Sequence, residues 1–215
     1  MLLKRFASSF LAVLCLCAMA VSSASANSNE IVNKEGKALV KKGFTGTVGE
    51  SVLETVHKSK MTCKGGSTKG VVTGTKTIEA TLTLTGCSSG GASCHTAGSK
   101  EGEVEAADAD LVMLEAHELM VLSEKLKASI ACGLTEVKTE GSFLIPVGSS
   151  QEDHLNTEYK FTAAQKEGIQ IPTEYVNTKL EKIKVTLEAA FGEGFVQAGV
   201  ATTLAIKFEE EVKFI

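Results

Sequence analysis

A two-residue rhythm of apolar and polar positions is the strongest signal along this chain. Ile78, Ala80, Leu82 and Leu84 alternate with Thr77, Glu79, Thr81, Thr83 and Thr85, which lays an apolar face and a hydroxyl-rich face on one strand. Gly74-Thr75-Lys76 before it and the run from Gly86 to Gly91 after it are turn formers, so the pattern predicts a bounded, half-buried antiparallel strand. Tyr159, Phe161 and Ala163 repeat the rhythm. So do Ile183, Val185, Leu187 and Ala189 against Lys182, Lys184, Thr186 and Glu188. Beyond a turn at Gly192-Glu193-Gly194, Leu204, Ile206, Phe208, Val212 and Phe214 share one parity. Glu210 breaks that set. It sits beyond the core edge, beside a bulge, or inside with a partner, and the first is the commonest setting for a glutamate.

Elsewhere the pattern is shorter. Residues 44–56, with glycines at Gly46 and Gly49, predict a kinked or bulged strand. Strands at 60–64 and 69–73 are joined by Gly65-Gly66-Ser67, and another strand is expected at 100–106. Ile130, Cys132 and Leu134 fall on even positions but Val137, Phe143 and Ile145 on odd ones, so a β-bulge is expected between Gly133 and Glu136. Pro146, lacking an N–H donor, ends that run. Gly168 to Pro172 reads as a turn and short edge. Residues 108–128 are ambiguous: leucine, methionine, alanine and glutamate favour helix, yet two short apolar runs around Glu115-Ala116-His117-Glu118 also suit a hairpin. Residues 27–43 are polar, with Ile31, Val32, Leu39 and Val40 too sparse to define a face. A flexible segment with at most a helical turn is expected there. Many short strands with glycine-rich connections predict an all-β fold, a single antiparallel β-sandwich or barrel-like domain over 44–215.

The first residues change the setting. Lys4 and Arg5 precede an apolar run from Phe10 to Val21, and Ser22-Ser23-Ala24-Ser25-Ala26 offers small residues for a signal peptidase, so 1–26 reads as a cleaved signal peptide. The run of about a dozen apolar residues is shorter than the roughly 20 that span a bilayer. Cys15 and Cys17 each follow a leucine, where lipidation needs a small residue. No transmembrane segment is expected after maturation, and the product is expected outside the cytoplasm, secreted or in the cell envelope. Loss of Lys4 and Arg5 takes the formal net charge from −4 to −6. Arg5 is the only arginine, so the mature chain has no guanidinium for bidentate phosphate contacts, and nucleic-acid binding is disfavoured. With no tryptophan and only Tyr159 and Tyr175, sugar-binding aromatic platforms are poorly supplied.

Cys63, Cys87, Cys94 and Cys132 remain in the exported chain and read as two disulfides. They lack the short C-x2-C spacing of a zinc site. Loop-closure entropy does not choose between Cys63–Cys87 plus Cys94–Cys132 and Cys63–Cys132 plus Cys87–Cys94, which both come to about 7 kcal/mol. Parity does: Cys63 aligns with Met61 and Cys132 with Ile130 and Leu134, whereas Cys87 and Cys94 flank a glycine-serine loop. Cys63 with Cys132 and Cys87 with Cys94 is the expected pairing.

Thr62-Cys63, Gly70, Gly74, Thr85-Gly86-Cys87, Cys94 and Gly102-Glu103-Val104 resemble a group of exported bacterial proteins of unknown function, found in many copies per genome. Ala131-Cys132-Gly133, Gly168-x-Gln170-x-Pro172 and Leu187-Glu188-Ala189-x-Phe191 are similar as well. The likeness covers most of the mature chain and rests on glycines, cysteines and strand alternation. It implies a fold and carries no catalytic residues. It also implies that Leu111 to Leu122 forms a strand pair.

Candidate chemistry is sparse. His57, His95, His117 and His154 lie in expected loops or turns, and none stands in an HExxH spacing. No G-x-S-x-G elbow accompanies the serines of Ser88 to Ser93, and only Asp108, Asp110 and Asp153 could complete a triad. Glu103, Glu105, Asp108 and Asp110 could gather around calcium, but they lack EF-hand spacing. No metal and no cofactor is therefore assigned, and an enzyme is the less favoured class. The favoured reading is a non-catalytic exported β domain, a structural or interaction module with an envelope or extracellular partner. The alternatives are a carrier of a small apolar ligand in a β-barrel interior, motivated by the apolar C-terminal strands, and a hydrolase of unrecognised type.

Overall fold

The computed structural model describes residues 30–114, 120–148 and 154–215. The expected signal peptide therefore lies outside the described residues, as does His117. Among the described residues the chain forms seventeen strands and no helix. In order they are β1 (Ile31–Asn33), β2 (Gly43–Val48), β3 (Ser51–Thr55), β4 (Lys60–Cys63), β5 (Gly65–Val72), β6 (Thr77–Thr85), β7 (Ser88–Ser89), β8 (Ala92–Thr96) and β9 (Glu103–Met113). Then come β10 (Met120–Cys132), β11 (Thr135–Pro146), β12 (Asn156–Lys166), β13 (Ile169–Ile171), β14 (Glu174–Val176), β15 (Lys182–Lys184), β16 (Leu187–Phe191) and β17 (Val196–Phe214).

The sheet closes as an antiparallel eight-strand barrel in the order β11-β16-β17-β2-β5-β6-β9-β10, with β10 pairing back onto β11. Closure removes the open edges that a flat sheet would leave. A second circuit shares β10, β11, β16 and β17 but runs through β3, β4, β7 and β8. β17 is long enough to serve both. One edge of it takes β3, β2 and β1 in turn, and the other takes β16 and then β12. Among the described residues no helix is long and apolar enough to cross a membrane.

Inward faces follow the alternation. Ile78 and Ala80 on β6, Tyr159, Phe161 and Ala163 on β12, and Ile206, Phe208, Val212 and Phe214 on β17 are all buried. Breaks in the rhythm are absorbed by bulges: two residues of β9, Ala107 and Asp108, lie opposite Thr81 of β6. Past that point the inward parity of β9 passes from even (Val104) to odd (Met113). On β17, the register with β12 jumps from Glu158↔Lys207 to Asn156↔Val212. Glu210 sits in that irregular stretch, partly exposed, with its carboxylate 3.2 Å from Lys42 Nζ. The bulge reading, not a place beyond the core edge, accounts for its parity.

Three expectations need correction. The face change after Cys132 is no bulge. Cys132 pairs with Thr135, so Gly133-Leu134 is a two-residue hairpin loop, with Gly133 at φ 61° and Leu134 fully exposed. Residues 27–43 are not a loose or helical segment in their described part: β1 pairs with β17, and Ile31, Val32 and Leu39 are buried. Sparse apolar residues sufficed because β1 adds to an existing core instead of making its own face. Gly65, Gly66 and Ser67 are not a connection but the start of β5. The strand pair that the resemblance implies for Leu111 to Leu122 is present in the described part, where β9 and β10 pair antiparallel through Met113↔Val121, and the helix alternative for 108–128 fails there. Tertiary pairing overrides the helix propensity of that segment.

Candidate functional site

Two packed clusters divide the barrel interior. At one end Phe44, Tyr159, Phe161, Phe208 and Phe214 interlock, with Tyr159 and Phe214 ring centroids 4.6 Å apart in an edge-to-face contact. Phe44 stands directly across from Gly70, and a side chain at Gly70 would run into its ring. At the other end lie Leu53, Met61, Val104, Ile130, Val137, Leu187 and the four cysteines.

All four predicted disulfide cysteines are brought together, but their pairing is corrected. Cys63 is bonded to Cys87, with Cα atoms 3.9 Å apart, and Cys94 to Cys132, with Cα atoms 4.1 Å apart. The register explains it. β4, β7, β8 and β10 are consecutive neighbours, and their cysteines form one rung in the order 63, 87, 94, 132. The expected Cys63–Cys132 bond would join the ends of that rung, three strand spacings or about 14 Å apart. Residues 88–93 are not a loose outward loop but the β7–β8 hairpin, turned by Gly90 and Gly91 at φ 56° and 85°. This hairpin turns Cys87 and Cys94 inward, where each is buried like Cys63 and Cys132. Two disulfides suggest an oxidising, extracytoplasmic environment.

Between the two clusters the barrel holds a cavity of about 170 Å³. A smaller void of about 30 Å³ continues it towards the aromatic cluster, past Phe161 and Leu204. The opening exists because the inward positions at this level are small. Ala80, Ala106, Ala128 and Ala163 all line it where bulkier side chains would fill the barrel. Leu53, Leu82, Leu111 and Leu204 stand among the larger apolar side chains of the remaining wall. Among the described residues the wall carries no charged side chain and no histidine; Cys63 is in its disulfide.

Hydroxyls interrupt this apolar wall at Ser51, Thr68, Ser123, Thr139 and Thr202. Ser51 Oγ and Thr202 Oγ1 are 2.7 Å apart, and the Thr68 hydroxyl donates to the Thr81 carbonyl at 3.1 Å. Thr139 differs: its Oγ1 is buried with no hydrogen-bond partner in the protein. These hydroxyls and alanines are what the sequence reading missed. The available signal was small or hydroxyl-bearing residues at inward parity, on strands whose other inward positions are large.

The titrating groups that depart from their ordinary values stand elsewhere. The Gln165 amide, donating at 3.0 Å, and then Lys60 and Lys58 hold the Glu54 carboxyl below the usual range, against the opposing effect of burial. Ser129 and then Lys138 lower Glu136, and Lys182 lowers Glu174. Burial pushes the Tyr159 hydroxyl up to about 12, and it sits between the Val212 and His154 carbonyls at 2.5 and 2.8 Å. His95, expected in a loop, is on β8, with Nδ1 3.4 Å from the largely exposed Glu101 carboxylate; neither residue lines the cavity. His57 is in a turn and exposed. Among the described residues no three histidine, cysteine, aspartate or glutamate side chains could hold a metal ion. Glu103 and Glu105 lie on β9, while the side chains of Asp108 and Asp110 fall outside the described set. No family model matches the chain, and no curated protein or solved structure matches it either.

Proposed function

We propose that this protein is an exported, non-catalytic carrier of a small apolar molecule held inside the barrel. The observation that carries the reading is the apolar cavity of about 170 Å³ inside the barrel. An apolar void of about 150 Å³ is large enough to take benzene or xenon, so the space fits a small ring or a short hydrocarbon chain. Its described walls supply no general acid, base or metal ligand, which fits retention of a molecule and not its turnover. On this reading the leader is removed after Ala26, and the mature chain acts in the envelope or the medium.

Titration of the oxidised mature chain with toluene, followed by methyl NMR, tests it. Saturable shifts at Leu53, Leu82, Leu111 and Leu204 are expected, with methyls of the surface residue Leu180 unmoved. If no cavity methyl responds up to the solubility of toluene, the carrier reading falls. A second reading, a structural or interaction module, is favoured by two exposed leucines at loop positions, Leu134 and Leu180, exposed by 109% and 72%. Apolar side chains held in water are what a partner surface would cover.

A further inference from the structure

We propose that the molecule held in the cavity is neutral and carries one hydrogen-bonding group, an alcohol, phenol or carbonyl, that pairs with the Thr139 hydroxyl. This rests on the carrier reading and narrows it to a chemical class. Thr139 is 6% exposed and lines the cavity, and its Oγ1 meets no protein donor or acceptor. A buried hydroxyl without a partner costs free energy that a protein recovers only if something supplies the bond. Of the other hydroxyls in the wall, Ser51 is engaged with Thr202 and the Gly49 carbonyl, and Thr68 with the Thr81 carbonyl.

The surroundings leave room at this position. Thr139 of β11 lies in register with Ala128 of β10 on one side and Ala189 of β16 on the other. Two methyl side chains flank Thr139 where larger residues would cover it; Oγ1 itself is buried, so a ligand atom in the cavity meets it once the side chain turns about χ1 and exchanges the hydroxyl with the methyl. Ala128 also lines the cavity, and Phe143, four residues along β11 from Thr139, borders it too. The ligand's apolar body would rest against Leu53, Leu111 and Leu204, with its polar end at Thr139. Charge is excluded by the same wall. An ionised group moved here would lose its hydration with no described counter-charge to replace it.

Calorimetric titration of the oxidised mature protein with toluene, 4-methylphenol and 4-methylbenzoate tests this at neutral pH. Thr139→Val keeps shape and removes the hydroxyl; Thr139→Ser keeps the hydroxyl. A single hydrogen bond contributes about 1–1.5 kcal/mol, so Thr139→Val is expected to weaken 4-methylphenol by roughly 5- to 12-fold. Toluene should bind the variant as well as it binds the parent, Thr139→Ser should retain most of the phenol affinity, and 4-methylbenzoate should not bind. Equal effects of Thr139→Val on phenol and toluene would overturn the proposal, as would an unchanged phenol affinity, the result if the hydroxyl is met by ordered water only. Tight binding of the benzoate would overturn its neutral-ligand part. Failure of all three probes in the folded parent would remove the carrier reading itself, a result distinct from toluene binding without discrimination.

Discussion

The two ends of the barrel hold themselves together by different means. Around β1, β2, β12 and the C-terminal half of β17, five aromatic rings and several branched aliphatics fill the space. Around β4, β7, β8 and the end of β10, the buried positions are leucines, valines, alanines, one isoleucine and one methionine, braced by two disulfides in a single rung. Side-chain volume closes one end; covalent bonds compensate for smaller side chains at the other. The cavity lies where the two regimes meet, with Phe161 from one and Cys63 from the other both in its wall. A barrel filled to native density throughout would have no such space, and one lacking the rung would close its small-residue end by packing alone.

Reducing both disulfides should produce the largest effect. Loops of the size closed by Cys63–Cys87 and Cys94–Cys132, with separations of 24 and 38 residues, are each expected to contribute about 3.5–4 kcal/mol. Urea unfolding with and without reductant measures the sum. Hydrogen exchange should then show amides of β3, β4, β7 and β8 losing protection while those of Tyr159 to Phe161 keep theirs. Uniform loss along the barrel would mean the two ends are not separately held.

Phe214→Ala probes the other end and should cost about 3–5 kcal/mol, because Phe214 is fully buried against Tyr159, Phe161 and Phe208. Its rung should stay intact, so peptide mapping of the variant should still find Cys63 with Cys87 and Cys94 with Cys132. A stability loss of less than about 1 kcal/mol would show that the rings do not close that end.

Tyr159→Phe should have the smallest effect, about 1–2 kcal/mol, since it removes one donor facing the Val212 and His154 carbonyls. Its pH dependence is the sharper readout. With the folded-state value raised from 10.0 to about 12, Tyr159 contributes stability that is fully present below pH 10. That contribution is lost as the pH rises towards 12, because the unfolded chain ionises first. The parent should lose stability over that window, and the phenylalanine variant should lose less of it. Parallel curves for the two proteins would place the alkaline sensitivity elsewhere.

Much of this architecture was legible before any coordinates. The strands carrying Ile78 to Leu84, Tyr159 to Ala163 and Leu204 to Phe214 announced themselves through alternation, and their inward faces follow the sequence parity. What misled the reading was always a question of neighbours. Cys87 and Cys94 looked like loop residues because Gly90-Gly91 between them is a turn; that the turn belongs to a hairpin docked beside β4 and β10 is a long-range fact. Ile31 and Leu39 looked too isolated to form a face, and they form none; they complete one that β17 already presents. The candidate site was hidden for a related reason. Thr139 and Ala128 are unremarkable in sequence and acquire meaning only when their strands are set side by side.

Local rhythm, cysteine content and the export-like leader were thus determined by the order of residues alone, because side-chain parity and turn chemistry act over a few positions. Barrel over sandwich, the cysteine rung, the buried N-terminal strand and the cavity were decided by tertiary structure. Each depends on which distant segments become neighbours and how much volume their facing side chains leave between them.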